Sequence, residues 1–222
     1  MRIVDRVKRD SRVLIVRGGE ADLPPGPALA AHAAQAWCLG YPAVTHAAQL
    51  PEYVESLTEQ LGQVDVVYAC GSTPPAILAD LVQATNMIAG CRLVADVRNW
   101  HDLHPADGAS ILLARKHTAA VAARMHAGAV LVCDPRLLEL LGADGRHRSF
   151  APRIRTRGHR HGVEIAAAHA LAIAWPLGLE SAWEFCALAA AASARRIGPA
   201  PVTWWDLESL DSRQPRNVAN AA

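Results

Sequence analysis

The sequence is poor in aromatic residues, 5% in all, with two Phe and three Tyr. Little of its core can be built from rings, and the abundant alanine points instead to helices with small faces that pack closely. A surplus of charge of either sign is also missing, the formal net charge being +1. That balance gives no electrostatic drive toward nucleic acid or an anionic membrane. There is no CxxC pair among the five cysteines, Cys38, Cys70, Cys91, Cys133 and Cys186. An odd and scattered set reads as reduced thiols in a core, not as zinc ligands or a disulfide frame. Long apolar runs are absent too. Residues Met1 to Arg12 mix Arg, Lys and Asp with Val, and the most apolar stretch, Ile165 to Pro176, is too short to span a bilayer. These features together predict a cytoplasmic protein with no nucleic-acid or membrane partner.

What is present is a chain of 222 residues, 51% of them hydrophobic, enough for one sizeable core. Short β-branched runs alternate with helical stretches bounded by Gly and Pro. Strands are predicted at Val13 to Val16, Val64 to Cys70, Arg92 to Asp96, Ser110 to Leu113 and Ala129 to Cys133. Helices are predicted at Ala28 to Leu39, Pro51 to Leu61, Ala76 to Ala89 and Lys116 to His126. This alternation argues for an α/β fold with a mostly parallel central sheet flanked by helices in three layers. The pattern then changes. Ala143-Asp144-Gly145 between Leu137 to Leu141 and His147 to Pro152 predicts a hairpin near residues 137–153. Two alanine-rich helices follow, Glu164 to Trp175 and Leu179 to Arg196, and then a short one, Thr203 to Leu210, with a threonine N-cap. Residues 1–210 read as a single domain and 211–222 as a flexible tail.

The order of these parts resembles the ribokinase-type (PfkB) carbohydrate kinases, and within them the branch that phosphorylates heptose phosphates. The resemblance is carried by VDVVYACGSTPPAILADLV, CRLVADVRN, GASILLARKHTAA, AVLVCDP, LLGADGRHRSFAP and the segment from Ile165 to Leu210. It covers about Val64 to Leu210 and leaves residues 1–63 unmatched. It implies a ribokinase-like fold and, in an active member, ATP with magnesium as cofactors and a sugar or sugar phosphate as substrate. Because residues 1–63 do not match, the family's sugar-binding turn and lid are expected to be absent or altered. If so, one face of the sheet would be left open and the chain would work as a homodimer or within a protein complex.

The departures from the family pattern fall on its chemistry. Family members carry Gly-Ala-Gly-Asp at the start of the first alanine-rich helix. The helix N-terminus favours the phosphoryl anion, and the Asp accepts the sugar hydroxyl proton. Here the region reads Arg157-Gly158-His159-Arg160-His161-Gly162-Val163-Glu164, with Val163 in place of the Asp. Glu164 is the nearest acid, one position on, a rotation of about 100° around a helix. The family's Asn-x-x-Glu, at the metal–phosphate end, is replaced by Arg115-Lys116-His117-Thr118. Its Thr-x-Gly-x-x-Gly nucleotide segment is replaced by Cys133-Asp134-Pro135-Arg136-Leu137-Leu138, without the glycines that admit a phosphate.

Two functional expectations follow. The first is a degenerate kinase acting as a binding, regulatory or structural subunit. The second is an active phosphotransferase with Glu164 as its base, and with Arg157, Arg160, His161, Gly162 and Lys116 as phosphate or nucleotide ligands. The pairs His101/His104 and His159/His161 lack zinc-site spacing, so no metal site is expected there. Trp175, Trp183, Trp204 and Trp205 are expected in the core.

Overall fold

The computed structural model describes residues 2–7, 10–18, 43–97, 103–134, 137–152, 160–195 and 202–212, the side chains of residues 160 and 161 excepted. The predicted helix Ala28 to Leu39 lies outside the described residues, as do Cys38, His101, His159 and most of the predicted tail.

Eight strands form one sheet in the order β2-β1-β3-β4-β5-β6-β7-β8. They are β1 (Val13–Arg17), β2 (Ala43–His46), β3 (Val66–Ala69), β4 (Arg92–Val97), β5 (Ile111–Arg115), β6 (Ala129–Cys133), β7 (Leu138–Gly142) and β8 (His147–Phe150). From β2 to β6 every neighbouring pair is parallel. The last two strands add antiparallel to that block. Among the described residues the helices are α1 (Val54–Leu61), α2 (Pro75–Met87), α3 (Ala119–Ala122), α4 (Arg160–Ala174), α5 (Leu179–Arg195) and α6 (Trp204–Asp211).

The central strands are apolar on both faces because both faces are covered, as parallel sheets require. Ile15, Tyr68, Val94, Leu113 and Leu131 pack on the side of α4 and α5. Their sequence neighbours Leu14, Val67, Leu93, Leu112 and Val130 pack on the side of α1 and α2. The strand period of two sorts the residues into these two cores. On the first face, the alanines of α4 (Ala166, Ala167, Ala170, Ala174) and of α5 (Ala182, Ala189, Ala190) are all buried. Small side chains let these helices approach closely, as the composition implies. The three-layer α/β fold with its mostly parallel sheet is therefore as expected, and neither face is left bare along these strands.

Several local expectations change. β2 was not predicted. It is a four-residue edge strand with exposed or half-buried side chains, and such strands carry almost no hydrophobic pattern. The predicted helix Lys116 to His126 shrinks to the single turn of α3. Residues 116–118 form a turn in which the Thr118 hydroxyl accepts from the Arg115 N–H (3.1 Å) and donates to the Arg115 carbonyl (3.0 Å). A threonine that binds nearby backbone in this way competes with helix. α4 starts at Arg160, not Glu164, which places Glu164 more than a turn inside the helix. The hairpin is as predicted, with Gly145 at φ +78° in its tip and the Asp144 side chain accepting from the Arg146 N–H. Cys70, Cys91, Cys133 and Cys186 are buried free thiols. Trp183 is buried and Trp175 and Trp204 are partly so, but Trp205 is 70% exposed, since its turn of α6 carries only Leu207 and Leu210 inward. No described helix is long and apolar enough to cross a membrane.

β1 lies between β2 and β3, so the chain reverses its winding direction at β1/β3, where open α/β sheets place ligands. Here the loops after the two strands lie directly on one another. A Cβ on Gly18 would sit 1.7 Å from the Ser72 carbonyl oxygen. The Thr73 hydroxyl reaches back to the Val16 carbonyl at 3.4 Å. Only glycine permits this backbone contact. Gly18→Ala is expected to destabilise the fold by about 3 kcal/mol, as overpacking against rigid backbone does. Gly162→Ala, with open space around it, should be neutral or stabilising by about 0.5–1 kcal/mol. Urea unfolding of both variants checks the contrast.

Candidate active site

A parallel sheet gathers the carboxyl ends of its strands on one edge, and charged residues that close buried strands meet there. β4 ends in Asp96-Val97 and β5 ends in Arg115. By strand alternation Asp96 and Arg115 face α4, since Val94 and Leu113 do. From α4, Glu164 comes down onto the same point. The Arg115 guanidinium donates to a Glu164 carboxylate oxygen. Its other terminal nitrogen lies 3.9 Å from Asp96 Oδ1. Asp96 and Glu164 are almost wholly buried, while the Arg115 side chain retains 20% exposure. One cation thus serves two buried carboxylates.

The electrostatics follow from this geometry. Burial works to lower the Arg115 pKa, but the charges of Glu164 and then Asp96 outweigh it and hold the guanidinium above its ordinary value. Cys133 closes β6 beside the cluster, opposite Arg115 in the ladder. Burial first, and then the Glu164 charge, push its thiol pKa well up, so it is an inert core group and not a nucleophile.

Of the other predicted site residues, Lys116 and Gly162 are described, and neither joins this cluster. Lys116 is 80% exposed and pairs with Asp134 at 3.6 Å, a surface pair of small energetic weight. Gly162 lies in the first turn of α4, next to open space. Arg160 and His161 open α4, with side chains outside the described residues, and Arg157 lies outside them altogether. Val163, which the resemblance sets against the family's base, is buried in the core. Thr118, which it sets against the family's glutamate, is fully buried, with its hydroxyl engaged on the Arg115 backbone. In the segment it sets against the family's nucleotide segment, Asp134 and Leu137 exchange backbone hydrogen bonds. Sequence reasoning missed Asp96 and Arg115 as partners of Glu164. The available signal was a charge at or next to the end of each of two strands, Asp96 in RLVADV and Arg115 in ILLAR.

Deeper in α4, His169 is fully buried and stacks on Tyr68 of β3, ring centroids 4.9 Å apart. Neither of its ring nitrogens has a hydrogen-bond partner. Burial depresses its pKa from 6.5 to about 3.

No family model and no curated protein matches the sequence. Solved structures do match. The ribokinase of Arabidopsis thaliana, solved with ribose and ATP, superposes with a TM-score of 0.63 at 14% identity, over 92% of this chain and 100% of that one. Phosphofructokinase-2 of Escherichia coli, solved with potassium, gives 0.61 at 12% identity, over 91% and 98%. A sulfate complex of a pyrophosphate-dependent kinase in the ribokinase family gives 0.62 at 12%, over 88% and 99%.

The His169 environment generates a test. Because the folded pKa lies below the unfolded one, the unfolded chain takes up a proton that the folded chain refuses. The stability tied to His169 is complete above pH 6.5 and is lost as pH falls from 6.5 toward 3. Each pH unit in that window should cost about 1.4 kcal/mol. His169→Phe, which keeps a ring against Tyr68, should remove that slope in denaturant unfolding followed across pH. An unchanged slope would contradict the assignment. Eight strands in this order, the covered faces and these superpositions together establish that the chain has the ribokinase-like α/β fold.

Proposed function

We propose that this chain has kept the ribokinase scaffold without phosphoryl transfer, and that it acts as a binding, regulatory or structural subunit. One observation carries the reading. Glu164, the carboxylate nearest to the base position, is buried and held by Arg115, which itself stands where the family's metal-side asparagine would be. A general base must reach a substrate hydroxyl and take its proton. A carboxylate bonded to an arginine that never loses its charge is a poor proton acceptor. A buried valine at the base position and a threonine engaged on backbone at the glutamate position support the same conclusion. Losing general-base catalysis forfeits about 10²–10⁴ in rate, and losing the anion-stabilising groups forfeits a comparable factor.

The competing reading is an ATP-dependent kinase of sugars or heptose phosphates in which Glu164 is the base and Lys116, Arg157, Arg160, His161 and Gly162 hold phosphate. The neighbours' fold favours it, but fold does not fix function. It requires Glu164 to leave Arg115, and breaking a buried pair costs about 3–5 kcal/mol. Purified protein given ATP, magnesium and a panel of sugars and heptose phosphates should transfer no phosphate above background. Turnover abolished by Glu164→Gln would overturn the non-catalytic reading.

As a cytoplasmic subunit without catalysis, the chain would act through association, as a homodimer or in a protein complex. Trp205 supports this, since it is exposed and tryptophan is enriched among interface hot spots. Light scattering at micromolar concentration should show an assembly, and Trp205→Ala should weaken it. A monomer at that concentration would contradict self-association.

A further inference from the structure

Magnesium is the metal that a ribokinase-type site implies, and the residues present do not fit it. A hard divalent cation seeks oxygen ligands, above all carboxylates. At the carboxyl ends of β4 and β5 the two carboxylates that would attract one, Asp96 and Glu164, already converge on a guanidinium. We propose that Arg115 is a built-in cation: it takes the place of a divalent metal at this end of the sheet, which therefore neither needs nor takes up one.

Three features support this assignment. Arg115 cannot give up its proton under any ordinary condition, so its charge is permanent. Its backbone is fixed, since Arg115 ends a strand paired to β4 and β6 and both its N–H and its carbonyl are bonded to the Thr118 hydroxyl. Its two partners come from different elements, Asp96 from β4 and Glu164 from α4, so the guanidinium ties helix to sheet as a bridging metal would. A metal entering here would have to expel the guanidinium and leave a cation without its counterions, a costly exchange. The inference rests on the same cluster as the non-catalytic reading but is separable from it. A chain that phosphorylated a sugar while taking up no metal at this cluster would overturn that reading and leave this one standing.

The test uses the full chain without nucleotide, titrated with Mn²⁺ and followed by loss of the free-ion electron paramagnetic resonance signal. Thermal unfolding in Mg²⁺ and in EDTA runs alongside. The wild-type chain should unfold at the same temperature in both, and its Mn²⁺ titration should be indistinguishable from that of Asp96→Asn. Arg115→Gln removes the cation and leaves both carboxylates. It should unfold earlier in EDTA, recover with Mn²⁺, and bind Mn²⁺ at least about tenfold more tightly than wild type, a difference of about 1.4 kcal/mol. That gain should vanish in Arg115→Gln/Glu164→Gln. Wild-type uptake of Mn²⁺ that Asp96→Asn abolishes would overturn the proposal, as would a folded Arg115→Gln that binds Mn²⁺ no better than wild type. If Arg115→Gln fails to fold even with Mn²⁺, the wild-type comparison decides alone: a titration equal to that of Asp96→Asn supports the proposal, and uptake that Asp96→Asn abolishes overturns it.

Discussion

The charged contact between Arg115 and the buried carboxylates of Asp96 and Glu164 is the constraint around which the carboxyl edge of the sheet is arranged. Two carboxylates in a protein interior require a counter-charge, and the surrounding structure is placed to provide it. Strand alternation turns Asp96 and Arg115 to the α4 side. The Thr118 hydroxyl fixes the backbone of Arg115, and the start of α4 at Arg160 places Glu164 where the helix packs onto the sheet. The shortening of α3, the burial of Val163 and the inertness of Cys133 all belong to this arrangement.

The same contact engages the polar groups around it. Glu164 is paired with Arg115, Thr118 is bonded to the Arg115 backbone, and Asp134 and Leu137 exchange backbone hydrogen bonds after β6. At the topological switch point the Gly18 and Ser72 backbones touch. Glu164 and Thr118 are thus both engaged with Arg115.

Much of this architecture was legible in the sequence because its signals are periodic. The runs VVYA, RLVADV, ILLAR and AVLVC are apolar on both faces, which marks buried parallel strands, and Ala143-Asp144-Gly145 marks the hairpin. The strand β2 was not legible, since four half-exposed residues at a sheet edge have no core to report. The end of β5 was missed because Arg115 lies between the apolar run ending at Leu113 and the predicted helix from Lys116, and only its partners from β4 and α4 place it on the strand. The site was therefore half visible. Departures from the motifs of the resembling family could be read from the residues themselves. The charge network of Asp96, Arg115 and Glu164 could not, since it joins positions far apart in the chain.

The central claim is that Arg115 occupies the two carboxylates of this edge, which therefore has no use for a metal-bound phosphate. Calorimetric titration of the purified chain with ATP, in magnesium and in EDTA, addresses it most directly. The account predicts either no binding or binding of equal strength in the two buffers. Saturable micromolar binding that requires magnesium and is lost in Asp96→Asn would contradict it.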